Sequence, residues 1–437
     1  MKVLVIGSGG REHALVWSLQ HTARGRLELY CAPGNAGIAD LARCVPIAVD
    51  DHEGLAAYVQ DEAIDLTIVG PEAPLAAGIV DKFRNLGLEI AGPNGAAARL
   101  EGSKAFAKDF MVRHRIPTAA YSVVGSLAEV AEVLASGEFG SEDSPVVLKA
   151  DGLAAGKGVV VASTHAEART AAAQLAAGDL IDPSAAEQIV IEEMLVGTEV
   201  SLLLFADGNN YALMPAARDH KRIGERDTGP NTGGMGAITD SSILSLELQA
   251  RVVTEIVEPT LAGARKEGFP FRGVLFLGLM ITSEGPKLLE YNVRFGDPET
   301  QAILVRLKSS LVDIFRATIA GTLNEIEIEW SNESSVCVVL ASRGYPGKYE
   351  KGQVITGWEK HDPNDRAIVF HAGTARSASG ELVTDGGRVL GITARGETLE
   401  EALRDCYSAA RKISWDGVQF RRDIGQFREV RSQTVNR

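Results

Sequence analysis

Lys149-Ala150-Asp151-Gly152-Leu153-Ala154-Ala155-Gly156-Lys157-Gly158-Val159 is the stretch whose reading decides the fold. It holds two lysines and three glycines between the apolar runs Val146-Val147-Leu148 and Val159-Val160-Val161. Glycines let backbone N–H groups approach anionic oxygens, and lysines offset their charge. A Walker A loop would need four residues between its glycines and a Ser or Thr after its Lys. Here three residues separate Gly152 from Gly156, and Gly158 follows Lys157. The spacing therefore predicts a phosphate-covering hairpin between two strands, not a strand-to-helix P-loop. Taken alone, the loop reads equally well as an ordinary glycine-rich hairpin.

Upstream, apolar runs at 2–6, 27–31, 65–69 and 88–91 read as strands, and 13–20, 54–61 and 75–86 as helices. Strand–helix alternation implies a doubly wound parallel sheet, whose ligands lie at the carboxyl ends of the strands. Those ends carry Gly7-Ser8-Gly9-Gly10-Arg11-Glu12-His13, Pro33-Gly34-Asn35-Ala36-Gly37 and Gly70-Pro71-Glu72-Ala73-Pro74. The first string fails as a dinucleotide fingerprint, because Glu12 stands where the third glycine belongs and no acidic ribose hook ends the next strand. An anion or sugar-phosphate site at the helix N-terminus is the better reading, and a tight βα turn with no ligand is the plain alternative for this motif alone.

A helix over 101–115 ends at Ile116-Pro117, and a second α/β unit follows at 119–193. Beyond it, strands at 200–206, 274–281 and 287–292 mix with helices at 246–266 and 299–320. The polar stretch 219–236 between them reads as structureless, a length that marks function or disorder. The tail carries strands at 335–341, 367–371 and 388–393 and a helix at 399–413.

Two further clusters carry chemistry. Along a strand, alternate side chains share a face, so Glu290 and Asn292 point the same way, with Arg294 just beyond. A carboxylate and an amide oxygen are hard ligands suited to Mg²⁺ on nucleotide phosphates, and an Arg beside them suits a phosphate or carboxylate. Asp219-His220-Lys221-Arg222, with the glycine-rich Asp227–Gly236 segment, reads as an anion site; a solvated loop is the plain alternative. Lys104 opens a helix before the second unit, and Glu192-Glu193-Met194-Leu195 follows its last strand, where acids and backbone could hold an adenosine.

Bulk properties set the frame. The 437 residues are enough for roughly three domains at about 150 each. A net charge of −14 argues against nucleic-acid or anionic-membrane partners. Four cysteines without metal spacing read as free thiols of a reducing compartment, and eight histidines without ligand spacing argue against zinc. No apolar run reaches membrane-spanning length, and the first residues already read as a strand, so a cytoplasmic location is expected.

Together, these clusters resemble the ATP-grasp superfamily, and within it the phosphoribosylamine–glycine ligase family of purine biosynthesis. Gly344-Tyr345-Pro346-Gly347 and Phe370-His371-Ala372-Gly373-Thr374 extend the likeness into the tail. The resemblance implies an N-terminal substrate domain (1–103), a connecting helix (104–121), a lid (122–194), an ATP-grasp body (195–327) and a small α+β C-terminal domain (328–437). It also implies ATP-dependent joining of glycine to 5-phosphoribosylamine, and a monomer or weak dimer is expected.

By the same resemblance, Lys104, Lys149, Gly152, Gly156, Lys157 and Gly158 would meet ATP phosphates. Glu192, Glu193 and Leu195 would hold adenine, and Glu199 the ribose. Glu290 and Asn292 would ligate Mg²⁺, with Mn²⁺ as the alternative, and Lys149 and Arg294 would be catalytic. Gly9, Gly10, Arg11, Asn35, Pro71, Glu72, Asp219, Lys221, Asn231, Thr232, Gly233, Arg294, Gly296 and Asp297 would line the substrate site. Two features depart from the pattern: no metal carboxylate stands on the 274–280 strand, and Arg218 adds a cation near Asp219. A bicarbonate- or formate-using sister enzyme, a non-catalytic nucleotide sensor and an NAD oxidoreductase are the competing classes.

Overall fold

A computed structural model describes residues 1–154, 158–178, 181–358 and 366–427. Val3 to Ile6 are fully buried, as a central strand with both faces covered requires. The first sheet is parallel throughout, in the order Arg43–Cys44, Glu28–Pro33, Lys2–Gly7, Leu66–Val69, Ile90–Ala91. Gly7 pairs with Pro33 and Ile6 with Val69, so the three polar turns gather at one edge where the strand order reverses. The expected helix over 75–86 is broken into Glu72–Ala76 and Ile79–Asn85, because Gly78 turns left-handed at φ +81°. The helix over 101–115 is likewise divided into Gly95–Gly102 and Lys104–Arg113 by the extended Ser103, which caps the second half.

The glycine-rich stretch does lie between paired strands. Val146–Ala150 and Val159–Ala162 run antiparallel within a four-stranded sheet completed by Tyr121–Val124 and Ile189–Glu193. Helices Leu127–Ala135 and His165–Ala177 pack on this sheet, each started by a Ser or Thr whose hydroxyl caps a Glu three residues on.

The body and tail share one nine-stranded sheet. Its path runs Gly285–Asn292, Arg272–Thr282, Thr198–Asp207, Ala217–Asp219, Gly236–Thr239, Ser334–Ala341, Arg388–Gly396, Ala367–His371, with Tyr211–Leu213 beside Thr198–Asp207. The polar stretch 219–236 is not structureless. It forms a hairpin of Arg222–Gly224 and Thr228–Asn231, flanked by the two short sheet strands. Apolar periodicity is absent there because the hairpin is held by polar contacts such as Arg222 Nη1 donating to the Gly229 carbonyl (2.8 Å). A single core joins Leu4, Ile6 and Phe83 of the first domain to Phe110, Val200, Leu277 and Tyr291 of the body.

Three buried histidines fasten the tail. His13 Nδ1 accepts from the His371 N–H (2.8 Å), and His220 Nε2 accepts from the Gly425 N–H (3.0 Å) while stacking on Phe427. Burial, then the neighbouring His371, holds His13 down at about 3; burial, then Arg376, holds His371 at about 4. Burial, then Arg421, holds His220 at about 4. All three lie below the ordinary 6.5, so below that pH the unfolded chain binds protons that the folded chain refuses. The stability from neutral histidine is therefore complete above pH 6.5 and is lost on acidification towards pH 4. Each histidine contributes a slope of about 1.4 kcal/mol per pH unit there. His13→Gln, which keeps an acceptor, should flatten the fall of unfolding free energy between pH 6.5 and 4 by about one such slope. Denaturant titrations at stepped pH check this, and an unchanged slope would exclude the assignment.

Candidate functional site: a cation cluster between lid, body and first domain

Glu290 and Asn292 end the edge strand of the large sheet. Gly278 pairs with Glu290 across a bulge, and a Cβ there would stand 3.0 Å from the Glu290 Cγ. A glycine thus occupies the neighbouring position where a second carboxylate was sought. Burial resists ionisation of Glu290, but Lys221, Lys149, Lys104 and Arg294 outweigh it and hold the carboxyl below its usual range. Asn292 Oδ1 accepts from Arg294 Nη2 at 3.2 Å.

Arg294 is anchored rather than free. Nε donates to Glu72 (3.2 Å), Nη2 meets Glu101 (2.8 Å), and Nη1 donates to the Phe295 carbonyl (3.2 Å). Burial would lower its pKa, but Glu101 and Glu72 raise it above the ordinary value, so the guanidinium is a permanent charge. Arg11 joins the same group, with its Nη1 3.8 Å from Glu72 and donating to Phe295 O. Pro71 caps the short helix that presents Glu72.

Three lysines approach from the lid side. Lys149, on the lid strand, lies 2.9 Å from Glu192 Oε1 and donates to the Leu289 carbonyl (3.1 Å), one residue before Glu290. Lys104 donates to the Gly152 carbonyl (3.1 Å); burial lowers its pKa against the pull of Glu290. Lys108, which sequence reasoning missed, meets Glu192 Oε2 at 3.0 Å. A Lys inside a helical pattern looks solvated, and only its four-residue spacing from Lys104 hinted at a shared face. Glu192 is thus held between two lysines, and Glu193 accepts from the Ala120 N–H (2.9 Å). Leu195 sits on the segment joining lid to body, and Glu199 begins the body. Gly152 and Gly158 flank the hairpin tip; Gly156 and Lys157 lie outside the described residues.

The run Asp219–Arg222 does not present three cations to one place. Lys221 pairs with Glu199 (2.8 Å), which Lys221 holds below the usual carboxylate range. His220 is buried and neutral against the tail, and Arg222 braces its hairpin. Arg218 lies 3.5 Å over the Phe427 ring. Burial pushes Asp219 up to about 7.

At the first sheet's edge, Glu12 fills the turn that a dinucleotide would occupy. Its Oε2 accepts the Gly9 N–H (2.6 Å), and a Cβ on Gly70 would lie 2.1 Å from its Oε1. Beside it opens a cavity of about 420 Å³ lined by Gly9, Asn35, Gly233, Asp297, Tyr345 and Arg388 among others. Sequence reasoning named the first four and missed the two tail residues. Tyr345 lay within a string already singled out; nothing marked Arg388. Arg388 donates to the Gly233 (2.5 Å) and Asp297 (2.7 Å) carbonyls and pairs with the Asp297 carboxylate (3.2 Å). Tyr345 accepts from the Gly233 N–H (3.0 Å). Asn35 spends its amide on the Ser8 and His371 carbonyls and the Gly37 and Ile38 N–H groups, so it shapes the wall. Thr232 braces its loop through Lys221 O, next to Asn231; Gly296 accepts from Thr300, and Gly10 lies against Gln301.

Family models for phosphoribosylglycinamide synthetase match the N domain at 1–101, the ATP-grasp (A) domain at 102–300 and the C domain at 335–427. The phosphoribosylamine–glycine ligase of Vibrio cholerae is 49% identical over 99% of this chain and 100% of its own. The crystal structure of the Thermotoga maritima phosphoribosylamine–glycine ligase superposes with a TM-score of 0.82 at 36% identity, covering 97% of this chain and all of that one. The biotin carboxylase domain of Hydrogenobacter thermophilus 2-oxoglutarate carboxylase, solved with MgADP and bicarbonate, shares the fold at 16% identity, with TM-score 0.70 and coverage of 96% and 91%. With its parallel-sheet N domain, its grasping body and its C domain all matched in order, the chain belongs to the phosphoribosylglycinamide synthetase family.

Proposed function

We propose that this chain joins glycine to 5-phosphoribosylamine with ATP, yielding glycinamide ribonucleotide, ADP and phosphate. The observation that carries the reading is the charge cluster itself: Glu290 and Asn292 on one face of a strand, with Lys221, Lys149, Lys104 and Arg294 all acting on the Glu290 charge, and a separate cavity at Asp297 three residues beyond Arg294. The Glu12 carboxylate in the first turn counts against a nicotinamide cofactor.

The donor set fits a hard divalent cation. Glu290 and Asn292 offer a carboxylate and an amide oxygen, and no group of three or more His, Cys, Asp or Glu gathers among the described residues. Mg²⁺ needs few protein ligands, because it keeps waters and substrate phosphates. Bound there, Mg²⁺ or Mn²⁺ would offset charge on the nucleotide phosphates. The protein residues do the remainder. Lys104 and Lys149, which both act on the Glu290 charge, would meet the phosphate oxygens. Arg294, pinned by Glu72 and Glu101, is a fixed charge facing the same point.

The glycine carboxylate attacks the γ-phosphorus, the bond to ADP breaks, and glycyl phosphate forms. The amine of phosphoribosylamine then attacks the glycyl carbonyl, loses a proton and expels phosphate. Closure of the lid hairpin excludes water that would otherwise hydrolyse the acyl phosphate. Tyr345 and Arg388, reaching from the tail to Gly233 and Asp297, set the shape of the cavity for the second substrate.

ADP release should depend on glycine; release with bicarbonate in place of glycine would point to a sister reaction. Glu290→Gln should lower kcat by about 100-fold or more while the chain keeps its far-ultraviolet dichroism. Retained turnover would remove Glu290 from the metal site. Arg388→Ala, which frees the Gly233 and Asp297 loops, should raise KM for phosphoribosylamine about tenfold with KM for ATP changed far less. Equal loss for both substrates would show a general structural role instead.

A further inference from the structure

Two cations converge on one carboxylate deep under the lid. Glu192 and Lys108 are each 2% exposed, and Lys149 is nearly as covered. Each Glu192 oxygen faces its own lysine, at 3.0 Å for Lys108 and 2.9 Å for Lys149. The three groups carry a surplus of one positive charge in a site that excludes water. The two lysines are not equivalent. Lys108 donates also to Thr118 Oγ1 (2.7 Å), whose hydroxyl donates to the Leu288 carbonyl (2.6 Å). Lys149 reaches the Leu289 carbonyl and acts on the charge of Glu290.

An uncompensated carboxylate in such a place costs several kcal/mol, so Glu192 must keep a cation at all times. If Lys149 were its sole partner, a phosphate could draw on the Lys149 charge only by leaving Glu192 unpaired. We propose that Lys108 is a positioning residue for the nucleotide: it holds Glu192 neutralised, which releases Lys149 to direct its charge at the phosphates. Lys108 does so through Glu192, without touching the nucleotide itself. The inference rests on the nucleotide reading above and adds to it the residue that makes Lys149 available.

The groups facing Lys108 are Glu192, Lys149, Glu290 and the Tyr121 ring, which lies 5.8 Å away. Burial pulls Lys108 down to about 8 against the lift from Glu192. Above that pH Lys108 becomes neutral and Glu192 reclaims Lys149.

Calorimetric titration of the full chain with MgADP, beside steady-state kinetics, tests this. Lys108→Met keeps the length of the side chain and removes the charge. It should weaken MgADP binding and raise KM for ATP about tenfold or more, the equivalent of one charge-assisted hydrogen bond. KM for phosphoribosylamine and kcat at saturating ATP should stay within about threefold, since no direct contact is lost. Lys108→Arg, which returns the cation, should restore most of the affinity. Parent affinity for MgADP should fall as pH rises through about 8, and that fall should vanish in Lys108→Met. Unchanged nucleotide affinity in Lys108→Met, equal loss for both substrates, or no recovery in Lys108→Arg would each overturn the inference. A parent chain that binds no MgADP would instead sink the nucleotide reading beneath it. Thermal melts of each variant separate misfolding from lost affinity, and a variant that does not fold is replaced by Lys108→Gln.

Discussion

The ion pairs of Arg294 with Glu72 and Glu101 hold the molecule's halves in working register. Glu72 opens a helix of the first domain, Glu101 ends the last helix of that domain, and Arg294 follows the body's edge strand. Burial raises the Glu101 pKa and would strip charge from Arg294, so neither is at ease alone. Brought together, Glu101 and Glu72 keep the guanidinium charged, while Arg294 offsets only part of the burial that raises Glu101. Glu101 also accepts the Val293 N–H (2.7 Å), tying the pair to the backbone just beyond Asn292. The position of the hard-ligand face is therefore set by a contact between two domains. A buried pair of this kind adds little net stability but strongly penalises any arrangement that separates it.

The same economy of charge runs through the cleft. Glu290 stays ionised because four cations surround it, and Lys221 is kept charged by Glu199 and Asp219 despite burial. The cations that would meet an anionic ligand are already held in place by carboxylates. Preorganisation of this sort means that little reorganisation remains when charge develops during phosphoryl transfer.

Much of the fold was legible because it rests on local pattern. The run Val3–Ile6 reads as a buried strand, and the spacing of Gly152, Gly156 and Lys157 excludes a P-loop from the sequence alone. Glu290 and Asn292 were legible through strand alternation. What stayed hidden depended on distant partners. Lys108 acquires meaning only once Glu192, on a strand of the lid, is folded against its helix. Arg388 lies 91 residues from Asp297 in the chain, and no local signal links them. His220 sat in a basic run and looked like an anion ligand, yet Phe427 and Gly425 from the tail capture it. The 219–236 segment was misread because its hairpin is held by polar groups, which leave no hydrophobic period to detect.

The unbroken nine-stranded sheet has an evolutionary corollary. Strand Gly236–Thr239 bonds directly to Ser334–Ala341, so the tail finishes a ladder that the body begins. Cutting between them would leave a raw hydrogen-bonding edge, an invitation to self-association. The four strands of the hairpin unit pair among themselves, and their sheet ends where they do. Lineages that recombine such enzymes are therefore freer to swap or remodel the flap than to trade the tail, which is grafted into the trunk.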